Sequence, residues 1–155
     1  MPIPFQFKIS NSWSLEHASK ITSKGGSIKT HQVFLEKGKT LEVSAAKPFK
    51  GDPSKYNPEE LLMAALSSCH FMSYLYVCEQ AGITILEYSD TVEGILNLQA
   101  NGSGAFAKIS LNPQVKIENQ DQIQLAESLH EKAGNLCFIA NSCAFKIEYN
   151  FFVEA

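Results

Sequence analysis

The chain has 155 residues, of which 45% are hydrophobic and 19% are charged, and its formal net charge is -3. This length and composition favour one soluble globular domain over residues 1–155 with a real hydrophobic core. The weak negative charge and the scattered basic residues exclude nucleic acid and anionic membrane surfaces as expected partners. All 13 basic residues are lysines, so the chain itself offers no guanidinium for rigid bidentate contacts.

The first eight residues lack the basic region and apolar run of a secretory signal. The four cysteines, without a secretory context, favour reduced thiols over structural disulfides. We therefore expect a cytoplasmic protein.

The first third of the chain is predicted to form strands and turns, because short apolar runs alternate with turn residues. The predicted strands are residues 9–15, 31–35 and 40–45, with a hairpin turn at residues 36–39 and a loop at residues 47–53.

A long apolar stretch in the middle of the chain carries the strongest helix signal. Asn57 suits the N-cap, Pro58 suits the first helical position, and Gly82 suits the C-terminal cap. Residues 61–78 contain no charged side chain, and apolar residues occupy most of the circumference, which predicts a helix buried on nearly all sides. A membrane span is disfavoured because serines and a histidine cluster at the helix centre.

After this helix the pattern returns to strands and then to a second helix. The predicted strands are residues 86–98 (one long or two short), 106–111, 114–118 and 145–153. Asp121 is the expected cap of the second helix, which is predicted to end at Gly134 and Asn135. Its inward face is predicted to comprise Ile123, Ala126, Leu129, His130 and Ala133. This order of elements predicts an α+β domain.

The thiol of Cys69 lies in the middle of the long helix. A free buried cysteine commonly acts only as a small hydrophobe, so core packing competes with reactivity as its role. His70 is about a quarter-turn from Cys69 on a helix, so a core role and a catalytic role both stay open for it. Cys137 lies in a short turn where a thiol can move, and Cys78 is expected to be structural. Cys143 follows six residues after Cys137, a spacing that does not match a metal knuckle.

Zinc binding is a further alternative role for these side chains. Cys69, His70, His130 and Cys137 are ligand types that zinc accepts, but no C-x-x-C or H-x-x-x-H spacing supports such a site. We expect no metal.

Two motifs resemble those of the OsmC/Ohr family, the osmotically inducible and organic hydroperoxide resistance proteins. Residues 57–69, NPEELLMAALSSC, resemble the family's central-helix motif N-P-E-E/Q-L, a small-residue run and a cysteine. Residues 137–142, CFIANS, are similar to its second-cysteine motif C-P-x-S-x-A, with Phe138 replacing the usual proline. The separation of the two cysteines, 68 residues, also fits.

The resemblance implies an OsmC-like α+β fold, with antiparallel sheets around a long buried central helix and a second helix, in an intertwined homodimer. It also implies a thiol peroxidase that reduces organic hydroperoxides without a cofactor. Cys69 matches the peroxidatic cysteine and Cys137 matches the resolving cysteine, with which it would form a disulfide. A dithiol of the lipoyl type would then restore both thiols.

The family's two other active-site groups are a glutamate and an arginine. Glu59 matches the glutamate, and its competing role is electrostatic stabilisation of the helix start. The arginine is missing, and Lys24, Lys29 or His31 are candidates to supply positive charge, with His70 a further auxiliary candidate.

This departure leaves two functions open. The paired cysteines favour a thiol-dependent reductase of organic hydroperoxides. The missing arginine favours a small-molecule binding protein of the same fold that performs no redox turnover.

Overall fold

The structure is a computed structural model that describes residues 1–155, apart from the side chain of Lys37. The chain divides into two compact units, Met1–Leu61 and Leu62–Ala155. The expectation of a single domain over residues 1–155 stays a prediction.

The first unit contains one antiparallel sheet and one short helix. Its elements are β1 (Ser10–Ser12), α1 (Leu15–Thr22), β2 (His31–Phe34) and β3 (Thr40–Val43), with 3₁₀ turns at Glu36–Gly38 and Lys47–Phe49. The sheet order is β1-β2-β3, so the two predicted strands at residues 31–35 and 40–45 pair as a hairpin.

The prediction of a strand over residues 9–15 is wrong beyond Ser12. The chain turns into α1 because Ser14 caps it, with its Oγ accepting a hydrogen bond from the backbone N–H of His17 at 3.2 Å. An exposed pair of Glu16 and Lys20, four residues apart, adds weak support to the same helix.

The long helix, α2 (Pro58–Gln80), begins and ends where the sequence predicts. The Oδ1 atom of Asn57 accepts a hydrogen bond from the backbone N–H of Glu60 at 2.9 Å. Past its end, Gly82 takes a φ of 70°, which a glycine adopts without strain. By length and composition alone α2 is able to span a membrane, a property it shares with core helices of soluble proteins.

Only one stripe of α2 is buried within the chain, contrary to the expectation of burial on nearly all sides. The buried stripe consists of Leu66, His70, Tyr74, Val77 and Cys78. On another face, apolar Met72, Leu75 and Tyr76 are 59%, 44% and 55% exposed. The sequence shows that a residue is apolar, but it does not show how many sides of a helix a single chain can cover.

The second unit contains two three-stranded sheets. Its strands are β4 (Ile85–Asp90), β5 (Glu93–Leu98), β6 (Gly104–Leu111), β7 (Pro113–Ile117), β8 (Lys146–Tyr149) and β9 (Phe152–Glu154). The sheet orders are β4-β7-β9 and β5-β6-β8. In each sheet one pair is antiparallel and the other, β7 with β9 or β6 with β8, is parallel. The antiparallel sheets implied by the resemblance are therefore mixed sheets in this unit.

The predicted final strand, residues 145–153, is divided between these two sheets. Asn150 interrupts it, and its backbone N–H donates to the carbonyl oxygen of Leu111 at 2.8 Å. The break passes the chain from one sheet to the other, which continuous alternation in the sequence does not reveal.

Two helices complete the second unit, α3 (Ile123–Leu136) and α4 (Phe138–Asn141). The side chain of Asn119, rather than that of Asp121, accepts the capping hydrogen bond of the 3₁₀ turn that precedes α3. Helix α3 continues two residues beyond Gly134. Four of the five residues predicted for its inward face are buried: Ala126, Leu129, His130 and Ala133.

Two separate clusters of buried residues form the core of the second unit. One surrounds Tyr74 and Val77 of α2 and includes residues of α3 and of the β4-β7-β9 sheet. The other surrounds Leu66 of α2 and includes Ile109, Leu111 and Cys137. The predicted α+β class is confirmed.

Candidate active site

Two of the four cysteines come together beside α2. Cys69 is half-buried on the helix and packs against the core cluster that contains the fully buried Cys137. Cys78 is buried in the other core cluster, and Cys143 is half-buried outside both clusters. All four cysteines are free thiols. The structure thus places the two motif cysteines at one site.

The backbone around Cys137 fixes the position of its sulfur. Its N–H donates to the carbonyl oxygen of Gly134 at 3.2 Å, which tightens the end of α3. Its Sγ accepts a hydrogen bond from the backbone N–H of Ala140 at 3.4 Å and so caps α4. The short turn predicted around Cys137 is therefore a junction between two helices that holds a thiol.

Burial raises the pKa of Cys137 well above its ordinary value, and a hydrogen bond with Cys69 adds to the rise. Cys137 therefore keeps its proton at neutral pH, while Cys69 is the more exposed of the two sulfurs. The two thiols thus have different environments, as a pair with different roles requires.

An apolar cleft of about 370 Å³ opens at Cys69. Its lining residues are Cys69, Met72, Ser73, Tyr76, Leu136 and Phe138. Met72 lines this cleft, whereas the neighbouring Phe71 packs on Tyr88. The cleft suits an apolar molecule whose reactive end meets the sulfur of Cys69.

His70 turns away from the cleft and forms a buried pair with His130. The Nε2 atom of His70 and the Nδ1 atom of His130 are hydrogen-bonded at 3.1 Å. The His130 ring is stacked between Tyr74 and Phe151, with ring centroids 3.9 and 4.5 Å away. Burial lowers the pKa of His70 to about 4 and that of His130 to about 3, so both imidazoles are neutral at pH 7.

The other ring nitrogens of the pair, Nδ1 of His70 and Nε2 of His130, are buried without a hydrogen-bond partner among the described residues. No group of three or more potential metal ligands occurs in the part of the chain that the structure describes. The four-residue zinc set considered from the sequence therefore does not form among the described residues, because His70 and His130 pair with each other in the core.

Four of the predicted site residues lie in the first unit. Glu59 is in the first turn of α2, and its Oε2 is buried without a hydrogen-bond partner among the described residues. The ammonium group of Lys29 donates to the carbonyl oxygen of Phe49 at 2.6 Å, and Nδ1 of His31 donates to the carbonyl oxygen of Lys29 at 2.8 Å. Lys24 lines a small polar cleft of the same unit.

Sequence reasoning did not single out Tyr149, at the end of β8. Its ring packs on the His70 imidazole, with centroids 4.7 Å apart, and it borders the cluster that contains Cys137. In the sequence, Tyr149 is only one of several aromatic residues in the predicted last strand. Its position depends on the pairing of β8 with β6, a contact between residues far apart in the chain.

The sequence profile of the OsmC-like protein family matches residues 51–151, more than half of the chain, including α2 and both motif cysteines. The chain belongs to the OsmC-like protein family. The resemblance seen in the two cysteine motifs is thereby confirmed, and the fold of the second unit can be compared with solved OsmC-like structures.

Individual relatives support membership in the OsmC-like protein family. The uncharacterised protein YmaD of Bacillus subtilis is 27% identical over 118 residues, which cover 74% of this chain and 78% of that protein. An OsmC-like protein of unknown function from Vibrio cholerae has a TM-score of 0.82 at 26% identity, with 96% of this chain and 100% of that chain covered.

An organic hydroperoxide resistance protein OsmC from Legionella pneumophila has a TM-score of 0.73 at 17% identity. The match covers 99% of this chain and 100% of that chain. At this identity the likeness shows the fold, and the predicted OsmC-like fold is confirmed.

Proposed function

We propose that this OsmC-like protein is a thiol-dependent reductase of organic hydroperoxides. The observation that carries the proposal is the pairing of Cys69 with Cys137 beside an apolar cleft that opens at Cys69. Relatives of the same fold are named for organic hydroperoxide resistance, as the Legionella protein is. A cleft lined mainly by carbon suits the alkyl part of such a substrate better than hydrogen peroxide alone.

In the first step, the Cys69 thiolate attacks the distal oxygen of the hydroperoxide. An S–O bond forms, the O–O bond breaks, and the alkoxide leaves and takes up a proton to become the alcohol. The sulfur loses two electrons and becomes a sulfenic acid. Cys69 suits this step because it is the motif sulfur that lines the cleft.

In the second step, the Cys137 sulfur attacks the sulfenic sulfur of Cys69. An S–S bond forms, and the hydroxyl group leaves as water with the Cys137 proton. A cellular dithiol, of the lipoyl type by family resemblance, then supplies two electrons and two protons and restores both thiols. The neutral Cys137 acts second because its buried thiol keeps its proton until the sulfenic acid forms.

Glu59 is the proposed third group of this site, carried over by the motif match. Its buried carboxylate oxygen without a described partner is free to accept a hydrogen bond from a substrate hydroxyl or from a positively charged group. Lys24, Lys29 and His31 stay candidates for the charge that an arginine supplies in the family, although Lys29 and His31 already bond to backbone carbonyls.

A homodimer and a cytoplasmic location complete the proposal. We propose that a second copy of the chain packs against the exposed apolar face of α2, which contains Met72, Leu75 and Tyr76. The N-terminal residues Ile3, Phe5, Phe7 and Ile9 alternate with more polar ones and are also exposed. Four unpaired cysteines fit a reducing compartment.

A second candidate function is binding of a small apolar molecule without redox turnover. The cleft at Cys69 and the absence of arginine favour it. In that case Cys69 would only line the binding site.

Thiol counting with cumene hydroperoxide tests the proposal against this alternative. One equivalent should remove two thiols from the parent, and peptide mapping should place the disulfide at Cys69–Cys137. Cys69→Ser should consume no peroxide, and Cys137→Ser should stop after one equivalent with a trappable sulfenic acid. Cys143→Ser, which removes a half-buried thiol outside the pair, is the matched control and should turn over like the parent.

Survival of all four thiols in excess hydroperoxide would reject the reductase and leave the binding protein. Sustained turnover by Cys69→Ser would reject the assignment of the reacting sulfur.

A further inference from the structure

A second cleft, of about 340 Å³, lies beside the junction between α3 and α4 and has no role in the proposed function. Leu136 and Phe138 at this junction line the cleft at Cys69, whereas Gly134 and Asn141 line the second cleft. The two clefts share no lining residue in the part of the chain that the structure describes. The volume of the second cleft falls within the range of small-molecule sites.

His130 is fully buried in the core, and yet it lines this second cleft. Tyr74 and Phe151 cover the two faces of its ring, with centroids 3.9 and 4.5 Å away. Its Nδ1 atom is hydrogen-bonded to Nε2 of His70. The ring edge that carries Nε2 is therefore the part left to face the cleft, and this atom is buried without a hydrogen-bond partner among the described residues.

The proton on this edge follows from the hydrogen bond between the two neutral imidazoles, each of which carries one N–H. If Nε2 of His70 donates, Nδ1 of His70 is left as an unpaired acceptor, and His130 carries its proton on Nε2. If Nδ1 of His130 donates instead, Nδ1 of His70 is left as an unpaired N–H in the core. Unpaired buried N–H groups are the rarer of the two. The first arrangement is therefore favoured, and Nε2 of His130 offers an N–H to the cleft.

The hydroxyl of Tyr149 is a second donor in this cleft. A Cβ atom added to Gly134 would be 3.0 Å from the hydroxyl oxygen, and both residues line the cleft. His130 and Gly134 are four residues apart on α3, so the two donors lie within about one helical turn of each other. Unlike the hydroxyl of Tyr74, which donates to the carbonyl oxygen of Ala126 at 3.0 Å, that of Tyr149 makes no hydrogen bond among the described residues. Burial raises the pKa of Tyr149, so the phenol keeps the proton that it can donate.

The exposed polar residues of this cleft offer acceptors. Glu131 carries a carboxylate, and Nδ2 of Asn141 donates to the carbonyl oxygen of Asn135 at 3.0 Å, which leaves Oδ1 of Asn141 as an acceptor. No lysine lines the cleft within the described residues, so an anion would meet the Glu131 charge without a compensating cation. Ile147 and Phe151 add apolar surface. The cleft therefore suits an uncharged molecule with an oxygen acceptor, an N–H donor and an apolar part.

We propose that this second cleft binds a small uncharged amide with an apolar substituent. The amide oxygen accepts hydrogen bonds from Nε2 of His130 and from Oη of Tyr149, so the buried Nε2 gains a partner. The amide N–H donates to Oδ1 of Asn141 or to the Glu131 carboxylate, and the substituent packs on Ile147. This binding does not depend on the thiol chemistry of the proposed function.

The direct test is a titration of benzamide into the isotope-labelled full chain, followed by proton–nitrogen NMR correlation spectra. The backbone signals of Gly134 and Asn141 should shift and saturate with a dissociation constant of about 1 mM, which is ordinary for a ligand of this size. Side-chain spectra should show the His130 proton on Nε2, and this signal should shift with the same dissociation constant. Benzoate has a similar shape but carries a negative charge and no N–H, so it should give no saturable shift.

Tyr149→Phe removes one of the two donors and keeps the aromatic ring. It should raise the dissociation constant of benzamide about fivefold, the usual effect of losing one neutral hydrogen bond. Tyr88→Phe is the matched control, because it removes another tyrosine hydroxyl that is buried without a described partner but lies outside the cleft. This control should bind benzamide like the parent.

Several outcomes would overturn the inference: no saturable shift with benzamide, benzoate binding as tightly as benzamide, or equal affinity in Tyr149→Phe and the parent. A His130 ring protonated on Nδ1 would reject its role as a donor to the amide oxygen. Shifts confined to Met72, Tyr76 and Leu136 would place benzamide in the cleft at Cys69 instead. None of these measurements uses a hydroperoxide, so failure of the proposed function and failure of the amide site are distinguishable.

Discussion

His70 and His130 show at the scale of single residues how the core determines protonation. Both side chains are fully buried, and aromatic rings lie against them. Burial is the main cause of their low pKa values, about 4 and about 3, and the proximity of His70 lowers that of His130 further. Asp90 acts in the opposite direction on His70 but does not offset the cost of desolvation.

This pair predicts a steep loss of stability in mild acid. The unfolded chain takes up both protons near pH 6.5, whereas the folded chain does so only near pH 4 and below. The free energy of unfolding should therefore be level above about pH 7 and fall as the pH drops through 6.5, by up to about 2.7 kcal/mol per pH unit. Urea unfolding between pH 7.5 and 5 measures this slope.

His130→Gln should reduce the slope to about half, because one of the two linked protons is lost. His17→Gln is the control, since His17 lies exposed on α1, and it should leave the slope unchanged. An equal slope in His130→Gln and the parent would contradict the assignment of the acid sensitivity to this pair.

At the scale of elements, the start of α2 is held by one side chain. The Oδ1 atom of Asn57 satisfies the backbone N–H of Glu60, one of the four donors that a helix start leaves unpaired. Glu59 and Glu60 place negative charge at the positive end of the helix dipole. Because α2 carries Cys69, this cap helps to order the helix on which the candidate site is built.

Asn57→Ala should lower the free energy of unfolding by about 1 kcal/mol, the usual cost of losing an N-cap. Chemical denaturation at pH 7.5 measures the change. Asn97→Ala on β5 is the matched control, because Asn97 is exposed and its side chain makes no hydrogen bond among the described residues. A loss in Asn97→Ala as large as that in Asn57→Ala would show that the cap is not the cause.

At the scale of the whole molecule, we expect another protein surface to pack against the exposed apolar face of α2. Single exposed apolar residues are normal, but Met72, Leu75 and Tyr76 lie together on one helix next to the cleft at Cys69. Burial of these side chains against a second copy removes apolar area from water and closes one side of the cleft. We therefore expect the homodimer and the reactive site to depend on the same face.

The parent should be a dimer by light scattering, and Leu75→Asp should shift it toward the monomer because an unpaired carboxylate is costly in an apolar interface. Leu98→Asp, at a comparably exposed leucine on β5, should stay a dimer. A monomeric parent would reject the homodimer, and dimeric Leu75→Asp would place the interface elsewhere.

The sequence alone determined the elements whose signals are local. The Asn57–Pro58 start of α2, the hairpin of β2 and β3, and the inward face of α3 depend on residues a few positions apart. The two cysteine motifs were sufficient to indicate the family. A local signal also gave one wrong prediction. Partial alternation at residues 9–15 indicated a strand, whereas Ser14 in fact caps α1.

Only the tertiary structure decided which residues share the site. The pairing of His70 with His130 across 60 residues, and the register that brings Tyr149 onto His70, depend on contacts between distant elements. The same holds for the exposed face of α2, because coverage depends on how much surface the rest of the chain supplies. The type of a residue determines how apolar its side chain is. Packing determines which groups that side chain contacts and whether it is charged at neutral pH.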